Sequence, residues 1–556
     1  MKYSAFFQKH EKWIPFLLVA IFIALTTSGL ATMHNPDELI HRVVKALEGR
    51  WEFDTTNFDY PSLPKYVIFG VGKITSALGV ASKLYSWARF VSVLLGASVV
   101  FLVYKITREL NGGILASSLA SLFLITNSTL AINARFAHND LYLVFFLTLT
   151  VYFLVLYKKR MQKGWLYAAF FSVGLAASSK YNGGIFILLP ILIFVLTEGK
   201  NLFQEKLHSF ETLFIGVILT FLGFASGTPK ALLWMSYYFK RVIPALSHHA
   251  NYGKTSESVI GFWGQWAILK NALSTSIFIL FLVAFLYFFW QVFLIKILKK
   301  TNRFWGKLNS AATKEKYAHS ETTELLGIII LAIIIFDLPI MISYNYQARF
   351  FIPLMPFFAI LTALFLEKMQ LKITQGENKK YAVLLPIIFG GILFYSFLRV
   401  LSVRLLLQND PRIKASEFIA TLPKGTRLEY TMYPPELPPE HFEAEYSYPI
   451  FFIKFEGQKV PEVGRGKPYK KFNEGEAGLL KRNTDYLVID SFTYARCENQ
   501  AIYKTNPVEC AFFEHLLAGE TAYEMIGEFT YSLPPFLPQI TLSFVNPEIQ
   551  IFRKSE

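Results

Sequence analysis

The sequence predicts a polytopic α-helical membrane protein that carries a soluble α/β domain after its last membrane helix. Hydrophobic residues make up 53% of the 556 positions and charged residues only 17%, whereas soluble domains carry about 25% charged residues. Apolar runs of about 20 residues, the length that crosses a bilayer, recur as far as residue 403. Polar residues dominate from there. We therefore predict a membrane domain over 1–403 and a soluble domain over 404–556.

About eleven apolar segments are long enough to be membrane helices. The first resembles a signal peptide in its position, but its long apolar core and the many spans that follow favour a retained helix. The segment 61–83 is also fairly apolar, and we expect it to lie as a helix at the outer interface. The expected spans are 13–32, 86–104, 113–132, 140–157, 165–179, 181–197, 210–227, 268–295, 324–343, 350–366 and 381–403.

Basic residues set the expected orientation. The formal net charge is +15, and many lysines and arginines lie in short loops between apolar runs, such as 158–160 and 296–300. The positive-inside rule assigns these loops and the N-terminus to the cytoplasm. The loops 33–85 and 228–266 and the C-terminal domain then face outside. Nucleic-acid binding is not expected, because the basic residues of a nucleic-acid-binding protein would cluster on a polar domain.

The C-terminal domain shows alternating helix and strand patterns. The stretch "RIKASEFIATLPKG" reads as a helix ended by Pro and Gly, and "RLEYTMY" and "DYLVIDSF" read as strands. "TLSFVNPEIQIF" reads as a closing pair of strands. Cys497 and Cys510 both lie here, and outside the cytoplasm they form either one disulfide or two free thiols.

The stretch "HNPDELIH" (34–41) places two carboxylates, Asp37 and Glu38, at the outer end of the first span. One interpretation is a helix cap, because negative charge stabilises a first turn. Another is a metal site, since Asp37 and His41 share a helical face; no further ligand pair supports it, and we predict no metal site. A third is catalysis, with Asp37 as a base and Glu38 tuning it, binding a cation or capping the helix.

Four further polar clusters fall on the same predicted face. Each could anchor a helix at the interface, but together they indicate a functional site. A carboxylate can act as general base on a hydroxyl, while Lys and Arg can hold a phosphate as it leaves. These residue types therefore predict transfer from a phosphate-linked lipid donor, with inversion. The clusters are "FDYPSLPKY" with Lys65, "ARFAHND" with Arg135, His138 and Asp140, "SSKYNGG" with Lys180, and "SYNYQARFFIPLMP" with Tyr346 and Arg349.

These motifs, in this order, resemble the glycosyltransferases of GT-C fold, in particular the protein O-mannosyltransferase and lipid A aminoarabinose transferase families. The resemblance covers most of residues 13–403 and departs from the family's "HPPLGK"-like stretch in "DYPSLPK", at Tyr60 and Ser62. It implies a polyprenyl-phosphate sugar donor, Asp37 as the catalytic carboxylate and Asp140 as the second acidic position. It also implies that Lys65 contacts the donor phosphate.

The location of other residues completes the expected site. Lys180, Tyr346 and Arg349 are expected at the donor phosphate, while His41, Arg135, His138 and His249 are candidate contacts for donor or acceptor. The resemblance implies that no cofactor is required. A divalent cation held by Asp37, Glu38 and Asp140 is the alternative, because related oligosaccharyltransferases need one.

Partners and location are less sharply specified by the sequence. The acceptor is expected to be a protein, lipid or glycan, and the location a prokaryotic plasma membrane, because long insertions between the spans are lacking. A lipid-linked sugar transporter or a membrane-anchored sensor remains the alternative function. A transporter would be expected to show repeated halves and charges near the middle of the membrane, and neither pattern is seen.

Overall fold

The protein is described here from a computed structural model, which describes residues 10–30, 38–47, 60–199, 206–251, 259–302, 312–375, 382–431, 433–437, 475–542 and 544–555. The chain divides into two compact units. The first ends at Val400 and the second runs on from Leu401.

Helices make up the first unit, and the last of them continues past its end. In chain order they are α1 (Ile14–Thr26), α2 (Ile40–Leu47), α3 (Leu63–Ala77), α4 (Leu84–Glu109), α5 (Ile114–Ile125), α6 (Ser128–Asn133), α7 (Asp140–Arg160), α8 (Lys163–Ser179), α9 (Leu188–Glu198), α10 (Lys206–Gly227), α11 (Lys230–Leu233), α12 (Met235–Asn251), α13 (Gly261–Leu273), α14 (Thr275–Asn302), α15 (Ala312–Met341), α16 (Met355–Gln375) and α17 (Leu384–Gln408). Two 3₁₀ segments, Tyr181–Ile187 and Ala348–Leu354, lead into α9 and α16.

Within the described residues, 8 helical segments are long and apolar enough to cross a membrane. Each coincides with one of the expected spans. The three remaining expected spans coincide with the shorter helices α1, α5 and α8. The prediction of a multi-pass helical membrane protein is therefore confirmed.

Helices α8 and α10 pack with their backbones in close contact, because glycines face each other across the pair. A Cβ on Gly174 would lie 2.1 Å from the carbonyl oxygen of Thr220, and one on Gly223 would lie 2.3 Å from that of Phe171. Small residues allow such approaches between membrane helices. The contact fixes α8, whose last residue directly precedes Lys180.

An ion pair holds the C-terminal ends of α4 and α7 together. Ion pairs join Arg108 to Glu11 (2.8 Å) and Lys159 to Glu109 (2.8 Å), so the ends of α4 and α7 lie together. These residues belong to the predicted cytoplasmic side. Because a helix rises 1.5 Å per residue, the start of α7 lies about 30 Å away and the start of α4 about 38 Å away. Both lengths are enough to cross the hydrocarbon core.

The described part of the second unit holds a sheet of four strands in the order β1-β2-β4-β3. Strand β1 is parallel to β2, while β4 is antiparallel to both β2 and β3. Its elements after α17 are α18 (Pro411–Ile419), β1 (Leu428–Tyr430), α19 (Gly475–Lys481), β2 (Tyr486–Asp490), α20 (Ser491–Tyr494), α21 (Gln500–Thr505), α22 (Pro507–Leu517), β3 (Tyr523–Phe529) and β4 (Ile549–Lys554).

The helix α18 and the strands β1 and β2 lie where the sequence predicts them, but the predicted closing strand pair is wrong. Among its described residues only β4 is a strand, and its hairpin-like partner β3 comes earlier in the chain. Asn546 has φ 62°, and Pro547 has no N–H to donate to a ladder. The first strand of the expected pair is therefore not formed among the described residues of 541–545.

A disulfide joins Cys497 to Cys510, with their Cα atoms 5.4 Å apart. Cys510 lies in α22 and is fully buried. Of the two alternatives left by the sequence, the cross-linked form is the one observed.

Candidate active site

Glu38 is buried in an ion pair with Arg89 of α4. The Nε and Nη2 atoms of Arg89 donate to the two carboxylate oxygens of Glu38 at 2.9 and 2.7 Å. Both side chains are at most 3% exposed. Two parallel hydrogen bonds between a guanidinium and a carboxylate fix position as well as charge.

The same pair fastens three separate segments together. The backbone N–H of Ala137 donates to Glu38 Oε1 (2.8 Å), and the N–H of Leu39 donates to the carbonyl of Ala137 (3.1 Å). Arg89 Nη1 donates to the carbonyl of Leu30 (2.6 Å). The end of the first span, the start of α2 and the loop before α7 therefore meet at Glu38.

Asp140 begins α7 and lies at the centre of a second polar cluster. It is 1% exposed. Its Oδ1 accepts a hydrogen bond from Lys180 Nζ at 2.7 Å, and its Oδ2 lies 3.0 Å from His138 Nδ1. Arg349, in the 3₁₀ segment before α16, is close enough to attract the carboxylate electrostatically. The structure thus brings together four residues that the sequence singled out.

The ring of Phe350 lies close to both cations of this cluster. Lys180 Nζ is 4.9 Å and the guanidinium carbon of Arg349 5.8 Å from the centroid of the Phe350 ring, within the range of cation–π attraction. Both cations of the cluster thus lie beside the same aromatic ring. Among the described residues Lys180 donates one hydrogen bond, although an ammonium has three N–H groups, and its side chain is 16% exposed.

Lys65 lies in the first turn of α3 and is fully buried. The turn is held to the end of α8 through hydroxyl groups. The N–H of Ser62 donates to Thr228 Oγ1 (3.2 Å), which lies 2.6 Å from Ser178 Oγ. Ser178 is two residues before Lys180, so the start of α3 is tied to the segment that carries Lys180.

Two predicted site residues make other contacts. The hydroxyl of Tyr346 donates to the carbonyl of Val259 (3.1 Å). The guanidinium of Arg135 donates to the carbonyls of Ala131 (2.7 Å) and Leu25 (2.6 Å). Arg135 therefore joins α1 to α6. Tyr346 joins the loop before the 3₁₀ segment Ala348–Leu354 to the residues that precede α13.

The side chains of three predicted site residues lie outside the described part of the chain. Asp37 lies outside the described residues. His41 belongs to α2 and His249 to α12, but the described part of the chain does not include their side chains.

The two described carboxylates of the site, Glu38 and Asp140, have cationic partners. Arg89 neutralises Glu38, and Lys180 pairs with Asp140. A divalent cation would have to displace these partners to gain net attraction. Among the described residues, no group of three acidic, His or Cys side chains comes together.

Sequence reasoning missed Arg89, Phe350, Ser178 and Thr228. Arg89 carried a usable signal, because an arginine inside an apolar span is expensive and is expected to have a partner. The other three are common residues in membrane helices, and only their tertiary neighbours give them a role.

The fold and site together define a class: a multi-pass membrane protein with a buried, cation-rich cluster at one end of its helices. Comparison with known proteins specifies this class further. Residues 64–226, less than half of the chain, match the family described as dolichyl-phosphate-mannose-protein mannosyltransferase. Comparison with curated protein sequences gives no significant match.

The fold is similar to that of ArnT from Cupriavidus metallidurans. The ArnT structure bound to undecaprenyl phosphate has a TM-score of 0.51 and 12% identity, covering 96% of this chain and 97% of that chain. The apo form of ArnT has a TM-score of 0.51 and 13% identity, covering 98% of this chain and 98% of that chain. The predicted GT-C fold is thereby confirmed, and the family match supports the predicted class, a membrane glycosyltransferase.

Proposed function

We propose that this protein transfers a sugar from a polyprenyl-phosphate donor to a hydroxyl acceptor at the outer face of a membrane. The observation that carries the proposal is Lys180. Its ammonium pairs with Asp140, remains partly exposed, and keeps N–H groups without an acceptor among the described residues. Phosphate oxygens are suitable acceptors for such groups. Arg349 and Lys65 supply further positive charge at the same end of the helices.

The reaction follows from the chemistry of the donor. The acceptor oxygen forms a bond to the anomeric carbon of the sugar, and the bond from that carbon to the phosphate oxygen breaks. The electron pair leaves with polyprenyl phosphate, which needs no proton. The hydroxyl proton passes to a general base, and attack from the opposite side inverts the anomeric configuration.

Asp37 is the proposed base, from its position after the first span. The described neighbour Glu38 supports this assignment indirectly, because the Arg89 pair and the bond from Ala137 fix the backbone at residue 38 beside the loop that leads to His138 and Asp140. Glu38 itself is proposed as a positioning residue. Its carboxylate is engaged on both oxygens.

Two comparisons support the lipid-phosphate donor. The matched family is named for dolichyl-phosphate-mannose, and ArnT was solved with undecaprenyl phosphate. The family name also makes protein the first acceptor to test, ahead of lipid and glycan. The proposed reaction requires no cofactor.

The proposed location is a prokaryotic plasma membrane, with the N-terminus in the cytoplasm. The proposed outer domain, 404–556, contains the Cys497–Cys510 disulfide, and disulfides persist in oxidising compartments. The ion pairs at the other ends of α4 and α7 involve residues assigned to the cytoplasm by the positive-inside rule.

The decisive experiment compares wild type with Asp37→Asn in lipid nanodiscs. Radiolabelled polyprenyl-phosphate hexoses are supplied as donors and host membrane extract as acceptor. We expect transfer by wild type and a loss of about 10²–10⁴-fold in the variant, the usual contribution of a general base.

The matched control is Glu109→Gln, at the opposite end of α4, which should retain wild-type transfer. Equal transfer by Asp37→Asn and wild type would exclude Asp37 as the base. If folded wild type uses no donor, the transferase proposal fails, and transport of lipid-linked sugar becomes the function to assay.

A further inference from the structure

His138 has one ring nitrogen bonded and one buried without a hydrogen-bond partner. Its Nδ1 lies 3.0 Å from Asp140 Oδ2. Its Nε2 has no partner among the described residues, although the side chain is only 7% exposed. A buried polar atom without a partner is costly, so this nitrogen is a place where a ligand atom would be stabilised.

The contact with Asp140 decides what Nε2 can offer. A carboxylate paired with Lys180 accepts hydrogen bonds, so the neutral form of the imidazole holds its proton on Nδ1 and donates it to Asp140. Nε2 then carries the lone pair and is an acceptor. The ring of Tyr60 packs edge-on against the imidazole, with centroids 5.5 Å apart, and restricts its rotation.

Two polar residues that follow His138 also have buried side-chain atoms without a hydrogen-bond partner among the described residues. Asn139 is fully buried, and neither atom of its amide has a hydrogen-bond partner in the described part of the chain. The hydroxyl of Tyr142 is likewise buried without one. Residues three apart at the start of a helix lie on one side of it. Donors and acceptors without partners are thus concentrated at the beginning of α7.

We propose that His138 Nε2 accepts a hydrogen bond from a hydroxyl group of the substrates, on the donor sugar or on the acceptor. This inference rests on the proposed glycosyl transfer and assigns the recognition of a hydroxyl to a specific atom. Asp140 acts through His138 as a positioning residue that sets its tautomer. Lys180 holds Asp140 in turn, so the phosphate-binding cation and the hydroxyl acceptor share one carboxylate.

Two substitutions separate the two ring nitrogens. In His138→Asn the amide N–H can take the place of Nδ1–H toward Asp140, but nothing replaces Nε2. In His138→Gln the longer amide can place its oxygen near the position of Nε2, and the bond to Asp140 is lost. Transfer is measured for wild type and both variants in nanodiscs, varying donor and acceptor concentrations separately.

We expect His138→Gln to retain more activity than His138→Asn, by about 3- to 10-fold, the effect of one neutral hydrogen bond. A raised KM for the donor assigns the hydroxyl to the donor sugar, and a raised KM for the acceptor assigns it to the acceptor. Inhibition by sugar-free polyprenyl phosphate should be unchanged, because that ligand has no sugar hydroxyl for Nε2.

The opposite order, with His138→Asn more active, would show that His138 only holds Asp140, and would overturn the inference. Equal activity of wild type and His138→Asn would overturn it as well, leaving a buried water as the partner of Nε2. Both results require an active wild type. An inactive folded wild type would instead contradict the proposed glycosyl transfer.

Discussion

Glu38 and Asp140 are two buried carboxylates at the same end of the helices, and they differ in what surrounds them. Glu38 has both oxygens occupied by one guanidinium and a backbone N–H. Asp140 shares its charge between Lys180 and His138, each of which retains a polar group without a partner among the described residues. The first arrangement is saturated, and the second can still bind a ligand.

The two carboxylates therefore have different roles: one joins segments of the chain, and the other belongs to a cluster that can bind a ligand. A saturated ion pair joins segments of the chain and gains nothing from substrate. A cluster whose members keep unused donors and acceptors destabilises the protein until a ligand supplies the missing partners. The comparison predicts that substitutions at Glu38 and Arg89 affect stability, whereas substitutions around Asp140 affect binding.

The largest expected effect comes from breaking the saturated pair. Arg89→Met leaves the Glu38 carboxylate buried and unpaired, which costs about 3–5 kcal/mol. The measurement is thermal unfolding in nanodiscs. The double variant Arg89→Met with Glu38→Gln should recover part of the loss because no charge remains buried. If the single variant unfolds like wild type, Glu38 is not the fastening point that its contacts indicate.

The next effect is expected at Lys180, and it is measured as a loss of binding. Lys180→Met removes a cation from the proposed phosphate site and should weaken the binding of polyprenyl phosphate about 10- to 100-fold, the loss of a charge-assisted hydrogen bond of about 1.5–3 kcal/mol. Titration of the lipid phosphate into nanodisc-embedded protein measures it. Lys180→Arg, which keeps the charge, is the matched control and should bind more tightly than Lys180→Met. Unchanged affinity in Lys180→Met would remove Lys180 from the phosphate site.

The smallest effect is expected at the hydroxyl chain between α3 and α8. Thr228→Val keeps the shape but removes the acceptor for the Ser62 N–H, at a cost of about 1 kcal/mol. Thr228→Ser should behave like wild type. Unfolding temperature reports the cost, and donor affinity reports whether the position of Lys65 depends on this chain. A stability loss with normal affinity would confine Thr228 to packing.

The fold was predictable from sequence because apolar length and basic loops are local properties. The candidate site was predictable only in part. Arg89 and Glu38 are 51 residues apart, and a pairing at that separation depends on how the helices pack. For the same reason the sequence treated Lys180 and Tyr346 alike, since both precede membrane helices, although the structure pairs the first with Asp140 and the second with the Val259 carbonyl.

The C-terminal strands show the complementary limit. Short strand-like runs predicted β1 and β2 correctly, but of the two strands expected in "TLSFVNPEIQIF" only the second, β4, forms among the described residues. The strand that pairs with β4 is instead β3, which comes earlier in the chain, and a pairing between separate segments is not a local property of the sequence.

The bond between Cys497 and Cys510 has a practical consequence for how the protein is produced. For the proposed outer location of the C-terminal domain, this cross-link is complete only after the region has been exported to an oxidising compartment. Material made in extracts containing reductant, or with export blocked, would carry two thiols there, and Cys510 would lie among apolar neighbours as a free sulfhydryl. Alkylation under non-reducing conditions therefore gives a simple quality test: correctly delivered protein should take up no label at either position.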